Sequence, residues 1–292
     1  MEQGLETGWI AGYPATKKCR CLNWVGVDAH YRPGGCPMAQ LALRISYDGT
    51  DYHGFQWQRE QDTVQSTLEH SLRSLLGPGT LTGGSRTDRG VHAEDQVVVW
   101  DGACPVPLTR LGKVLNHRLP LSIRVMAVGM VPDGWDPRRM ATAKFYRYQI
   151  WRGPVPANWA RFVMRMDEPL ALPILVDTAR WFEGRHDFSS FRSTGSSART
   201  TIRQVFTSRW DVSQGGRALI YRVGANGFLY HMVRLMVGAM LEAARTGQTG
   251  NIAHALTNPG PTTRMNKLAP PHGLVLERIE IDGKWFRSIE EG

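Results

Sequence analysis

Ser85-Arg86-Thr87-Asp88-Arg89-Gly90-Val91-His92-Ala93 lies between two stretches with strand character, Thr80 to Gly83 and residues 95 to 100. Asp88 stands directly between two arginines, and neighbouring positive charge favours the charged form of a carboxylate. Gly90 permits a backbone turn with positive φ that other residues resist. The segment therefore reads as a tight loop presenting an ionised carboxylate, as a nucleophile or base requires. A solvated surface corner has the same local signature, because turn residues are abundant in any globular chain. The stretch alone leaves both readings open.

Working outward, the elements around this loop set the fold. Leu41, Leu43 and Ile45 alternate with Ala42, Arg44 and Ser46 at strand spacing. A helix follows, opened by Asp62 with Gln65 three residues on and striped by Val64, Leu68, Leu72 and Leu75. Gly77 and Pro78 stop it. Past the Asp88 loop, Leu108 to Arg118 reads as a second helix and Ser122 to Met130 as a strand. The order is β-α-β-β-α-β, the split βαβ unit of ferredoxin-like folds. Pro132-Asp133-Gly134-Trp135-Asp136-Pro137 interrupts both periodicities and marks a domain junction.

The second half has the same rhythm. Lys144 to Trp151 is a strand, Ile174 to Phe182 a helix, and 202–212 and 217–225 are strands. Leu229 to Arg245 is a long helix and Leu274 to Ile281 a closing strand. The expected fold class is α+β, with two ferredoxin-like halves, mostly antiparallel sheets and a cleft between them. The expected division is an extension over 1–38 that need not be folded, a first domain over 39–137 and a second over 138–292.

The 292 residues include 35 Lys and Arg against 26 Asp and Glu, a formal charge of +9. That excess suits a polyanionic partner such as RNA, an argument about association rather than fold. No apolar run reaches the roughly 18 residues of a membrane helix, and Met1 to Gly12 lacks the pattern of a secretory signal. Cys19, Cys21, Cys36 and Cys104 form no regular disulfide spacing, which fits a reducing, cytoplasmic setting. Cys19, Cys21, His30 and Cys36 fit a zinc site poorly, because their C-x-C gap is shorter than usual. Neither a P-loop nor a dinucleotide fingerprint is found.

Met232, Val233, Leu235, Met236, Val237, Ala239, Met240 and Leu241 make the long second-half helix apolar nearly all round, yet Arg234 lies among them. A buried guanidinium needs a carboxylate or phosphate partner. Arg234 either reaches Asp88 across a site, or snorkels to the surface, or pairs with Glu242. Gly238 and His231 share its helix face.

Several motifs, taken in order, resemble the TruA-type tRNA pseudouridine synthases. Arg86-Thr87-Asp88 with Gly90-Val91-His92-Ala93 resembles the family's G-R-T-D-x-G-V-H-A loop, with Ser85 for the usual Gly and Arg89 where a small residue or Lys is commoner. Lys144-Phe145-Tyr146-Arg147-Tyr148 resembles R-x-Y-R-Y, and His231 to Gly238 resembles H-M-V-R-x-x-V-G. Tyr47-Asp48-Gly49, Gly54 to Gln58, Asp187 to Phe191 and Ala269 to Leu274 resemble further shared motifs, so the likeness spans about 41 to 281.

The resemblance implies an isomerase that converts uridine to pseudouridine in the anticodon stem-loop of tRNA, at positions 38 to 40. It also implies a homodimer and no metal, nucleotide or redox cofactor. Asp88 would be the essential carboxylate, Tyr146 the ring stacked on the uracil and the base, or the relay to the base, that removes the C5 proton, and Arg234 the partner that orients Asp88 and keeps it ionised. Arg86 would contact RNA or fill the space of the extruded base, which must leave the stack to react. Arg89, Trp57, Arg192, Arg199 and Arg203 are further RNA-binding candidates, by phosphate neutralisation or stacking. The competing readings are a non-catalytic RNA-binding protein of the same fold and a synthase acting on another RNA. A hydrolase is a third, and would need a second carboxylate as its acid partner.

Overall fold

A computed structural model of the chain describes residues 39–195, 198–283 and 285–288. The proposed extension, with the Cys19, Cys21, His30 and Cys36 set, lies outside the described residues. The first half runs β1 (Ala39–Tyr47), α1 (Val64–Leu76), β2 (Gly79–Gly83), β3 (His92–Gly102), α2 (Leu108–Arg118) and β4 (Ile123–Pro132). A short α3 (Pro137–Met140) leads into β5 (Ala141–Trp151) and β6 (Met164–Arg165). Then come α4 (Leu172–Arg180), β7 (Gly184–Asp187), β8 (Ile202–Ser213), β9 (Ala218–Ala225), α5 (Met232–Thr246), α6 (Gly250–Thr257), β10 (Leu274–Ile281) and β11 (Phe286–Ser288).

All the strands join one sheet, whose main path is β11-β4-β1-β3-β10-β5-β9-β8-β7. Within it the first half has the order β4-β1-β3-β2, and the second repeats that order as β10-β5-β9-β8, with β7 added at the edge. Both are the ferredoxin-like arrangement, and every pairing is antiparallel except β3 with β10 and β5 with β6. The expected α+β class with mostly antiparallel pairing therefore holds, and β10 joins the two halves. Leu276 of β10 lies beside Ala93 of β3 on one side and Tyr146 of β5 on the other. Strands are about 4.8 Å apart, so two spacings, about 10 Å, separate the backbone that follows Asp88 from the backbone that carries Tyr146.

The helices follow from their apolar stripes. Val64, Leu68, Leu72 and Leu76 of α1 are buried, each contributing about 1.5–3 kcal/mol by leaving water. The N-cap of α1 is Thr63, not Asp62. Its side chain takes the Ser66 N–H, and the Ser66 hydroxyl takes the Thr63 N–H, which closes a capping box. Helix α5 is buried from Met232 to Leu241 and at Ala243 and Ala244, as its nearly continuous apolar sequence requires. Its close approach to the chain at Lys267 depends on Gly238, where an added Cβ would lie 1.9 Å from the Lys267 carbonyl oxygen. Among the described residues, no helix is long and apolar enough to cross a membrane.

The two faces of β5 divide the labour. Tyr146 and Tyr148 point one way, and strand alternation sends Arg147 the other. There Arg147 forks onto Glu94 and also meets Glu277, which pairs with Arg222.

Candidate active site

The Asp88 loop is held from three directions before any functional group is counted. Gln96 on β3, fully buried, accepts from the Ser85 N–H at 3.0 Å and donates to the Ser85 carbonyl at 2.7 Å. The Thr87 hydroxyl meets the Tyr47 hydroxyl at 2.7 Å, and the Thr87 carbonyl accepts the Phe55 N–H at 3.1 Å. The turn closes with the Val91 N–H on the Asp88 carbonyl at 3.1 Å, and Gly90 adopts φ 76°, as its place in the loop requires. Gly54 permits the Phe55 loop to approach, since a Cβ there would lie 2.8 Å from the Thr87 carbonyl oxygen.

Arg234 resolves the alternatives for its buried charge. It lies in the first turn of α5, only 8% exposed, and Nη1 donates to Asp88 Oδ2 at 2.9 Å. Its Nε donates to the Ala269 carbonyl at 2.8 Å, and its own carbonyl accepts the Ala269 N–H at 3.2 Å. One guanidinium thus ties the 269 segment and the Asp88 loop to α5. Glu242, the competing partner, pairs instead with Arg245.

Tyr146 is 5% exposed, its hydroxyl 2.9 Å from the Ser85 hydroxyl and its ring edge-on to Phe228, with centroids 5.1 Å apart. Burial pushes its pKa up to about 12, with the Asp88 charge adding to the rise and the Ser85 hydrogen bond opposing it. The group is therefore a neutral phenol near neutral pH.

Asp88, Tyr146 and Arg234 line one open cavity of about 1100 Å³, together with Arg86, Arg89, Lys144 and His231. Arg86 and Arg89 are exposed at its wall. Trp57 is 55% exposed and falls outside the lining, as do Arg192, Arg199 and Arg203. Arg203 spends its guanidinium on the carbonyls of Thr200 and Ile202.

Sequence reasoning did not assign three of the residues at this site. His231 caps α5 in the left-handed conformation, φ 64°, with Nε2 3.4 Å from Asp88 Oδ2 and Nδ1 2.8 Å from the Ser193 hydroxyl. Burial lowers its pKa; Asp88 opposes that and Arg234 reinforces it. Its place on the Arg234 face was visible, but its strained backbone was not. Lys144 donates to the Gly84 carbonyl at 2.7 Å, and burial, reinforced by Arg138 and Arg203, lowers its pKa to about 8. Ser85 stood out only as a departure from a pattern.

The arrangement puts a carboxylate, a cation bonded to it and an aromatic ring around one solvent-open space, suited to reaction on a planar base. Comparison with known proteins agrees. The family model described as tRNA pseudouridine synthase matches residues 44–138 and 178–282. The tRNA pseudouridine synthase A of Syntrophomonas wolfei is 36% identical over 83% of this chain and 97% of its own length. That of Geobacter sulfurreducens is 37% identical over 84% and 100%, and that of Syntrophotalea carbinolica 36% over 83% and 96%. With the family model covering more than half of its residues and these relatives matched over nearly their whole length, the chain belongs to the tRNA pseudouridine synthase family.

Proposed function

We propose that this protein isomerises uridine to pseudouridine in tRNA, within the anticodon stem-loop, with Asp88 as the essential carboxylate. The supporting observation is the Asp88–Arg234 hydrogen bond beside Tyr146 in one open cavity. The reaction breaks N1–C1′, turns the uracil and forms C5–C1′; the C5 proton is lost and N1 gains one, so nothing is consumed. Asp88 acts as an anion in each route open to it: attack on the sugar, attack on the base or removal of a sugar proton. Arg234 fixes the rotamer of that carboxylate. Tyr146 is the platform for the uracil, and its raised pKa makes it a neutral ring rather than a standing base.

The target base leaves the stack to enter the cavity, and Arg86 and Arg89 meet the RNA at its wall. Trp57, Arg192, Arg199 and Arg203 serve as outlying RNA contacts. Residues 39–137 and 138–292 act as two lobes around the RNA, in a cytoplasmic homodimer. The test is release of tritium from tRNA carrying 5-tritiated uridine, with mapping of the modified positions. Stoichiometric release with pseudouridine in the anticodon arm is expected. Free uracil as product, or binding of tRNA without release, would overturn the reading.

A further inference from the structure

We propose that Ser85 is a positioning residue for the isomerisation, its hydroxyl fixing the Tyr146 ring relative to Asp88. The inference rests on the function proposed above and assigns Ser85 a role exerted through Tyr146. Three observations carry it.

The first is how firmly Ser85 is held. It is 7% exposed, and both of its backbone polar groups are bonded to the amide of Gln96, itself fully buried on β3. Its side chain therefore projects from a fixed base. The second is what the side chain meets. Its hydroxyl is 2.9 Å from that of Tyr146, 61 residues away in the chain and on the other half of the sheet. A buried phenol needs a hydrogen-bond partner, and Ser85 supplies one at the tip of the ring. Phe228, edge-on at 84°, bounds the ring at its side. The two contacts together set the direction of the ring face.

The third is the place of Ser85 in the chain, three residues before Asp88 in the same braced loop. Reference to that loop matters more than reference to the sheet. The uracil must meet the ring face and the carboxylate in one pose, and misplacement by about 1 Å costs about 100-fold in rate. A hydroxyl pair across the two halves holds the separation of those groups constant. A residue without a side-chain hydroxyl at this position leaves the phenol tip free to shift.

The test is a double-mutant cycle measured as single-turnover rate and as kcat and KM for tRNA, in wild type, Ser85→Ala, Tyr146→Phe and the pair. Loss of one buried hydrogen bond is expected to lower kcat by about ten-fold in Ser85→Ala, with KM for tRNA within about two-fold. Ser85→Thr restores most of the rate. In the Tyr146→Phe background, Ser85→Ala costs nothing further, because the bond is already gone. Where Tyr146→Phe leaves no measurable rate, the Ser85→Ala loss and the Ser85→Thr rescue decide. Should Ser85→Ala fail to fold, Ser85→Gly, which adds neither hydroxyl nor bulk, takes its place with the same expectation. Wild-type kcat in Ser85→Ala, equal costs in both backgrounds, or a loss confined to thermal stability would overturn the inference. An active wild type with a silent Ser85→Ala sinks this inference alone. A wild type that forms no pseudouridine sinks the function on which it rests.

Discussion

Arg234→Lys separates charge from geometry at the heart of the site. The arginine serves two partners with two nitrogens, Nη1 to Asp88 at 2.9 Å and Nε to the Ala269 carbonyl at 2.8 Å. Lysine keeps the charge but has one nitrogen on a flexible four-carbon stem, and cannot reproduce that fork. Two costs follow. One hydrogen bond in a buried place is lost, about 1 kcal/mol of stability, so the variant stays folded. The carboxylate also loses its fixed rotamer, and a displacement of about 1 Å lowers kcat by about 100-fold, or about 2.7 kcal/mol of transition-state free energy. Arg234→Met removes the charge as well and strips a partner from a carboxylate whose side chain is only 20% exposed. Because that carboxylate keeps some water, the stability cost is at the low end for broken buried pairs, about 3 kcal/mol. Single-turnover pseudouridine formation on saturating tRNA, with thermal unfolding of the same samples, measures both quantities. A kcat for Arg234→Lys within about three-fold of wild type would show that charge alone suffices and that the two-point geometry is irrelevant.

Three further outcomes follow from particular contacts. Gly238→Ala puts a methyl 1.9 Å from the Lys267 carbonyl oxygen; unfolding should show a loss of about 1–3 kcal/mol, and activity should fall with it because Ala269 holds Arg234. Arg86→Ala and Arg89→Ala should each weaken tRNA binding and make the salt dependence shallower by about one phosphate contact, read from affinity at several salt concentrations. His92 is 2% exposed, its Nδ1 3.1 Å from both the Gly49 nitrogen and Asp48 Oδ1 and its Nε2 3.0 Å from the Arg161 carbonyl. Burial lowers its pKa from the ordinary value of 6.5, with the Asp48 charge opposing. The unfolded chain thus takes up the proton first, so stability is complete above about pH 7 and declines as pH falls through and below 6.5. Thermal unfolding should show that decline, and His92→Gln should reduce it.

The periodic elements were legible because their physics is local. Leu108–Arg118 and Leu274–Ile281 have the bounds their patterns indicate. The start of α1 was misplaced by one residue, since Asp62 and Thr63 both make good caps and only the Ser66 hydroxyl reaching back decides between them. β7 escaped because Gly-Arg-His-Asp has no apolar alternation and pairs only as an edge strand. α6, at eight residues, gives too few turns for a stripe.

At the site, the need of Arg234 for a partner could be read from its apolar neighbours, whereas the identity of that partner, 146 residues away, depended on β10 bringing the halves together. His231 was legible as a neighbour of Arg234 but not as a contact of Asp88, because a left-handed histidine has no sequence signature. Arg192, Arg199 and Arg203 are RNA-contact candidates by their charge, and none of the three lines the cavity.

The measurement that bears most directly on the whole account is single-turnover conversion of an unmodified tRNA by wild-type protein and by Asp88→Asn, with tRNA affinity measured in parallel. Wild type should form pseudouridine, and the asparagine variant should bind the tRNA with similar affinity and form none. Conversion by Asp88→Asn at the wild-type rate would contradict the account, because no step would then depend on the carboxylate that Arg234 holds.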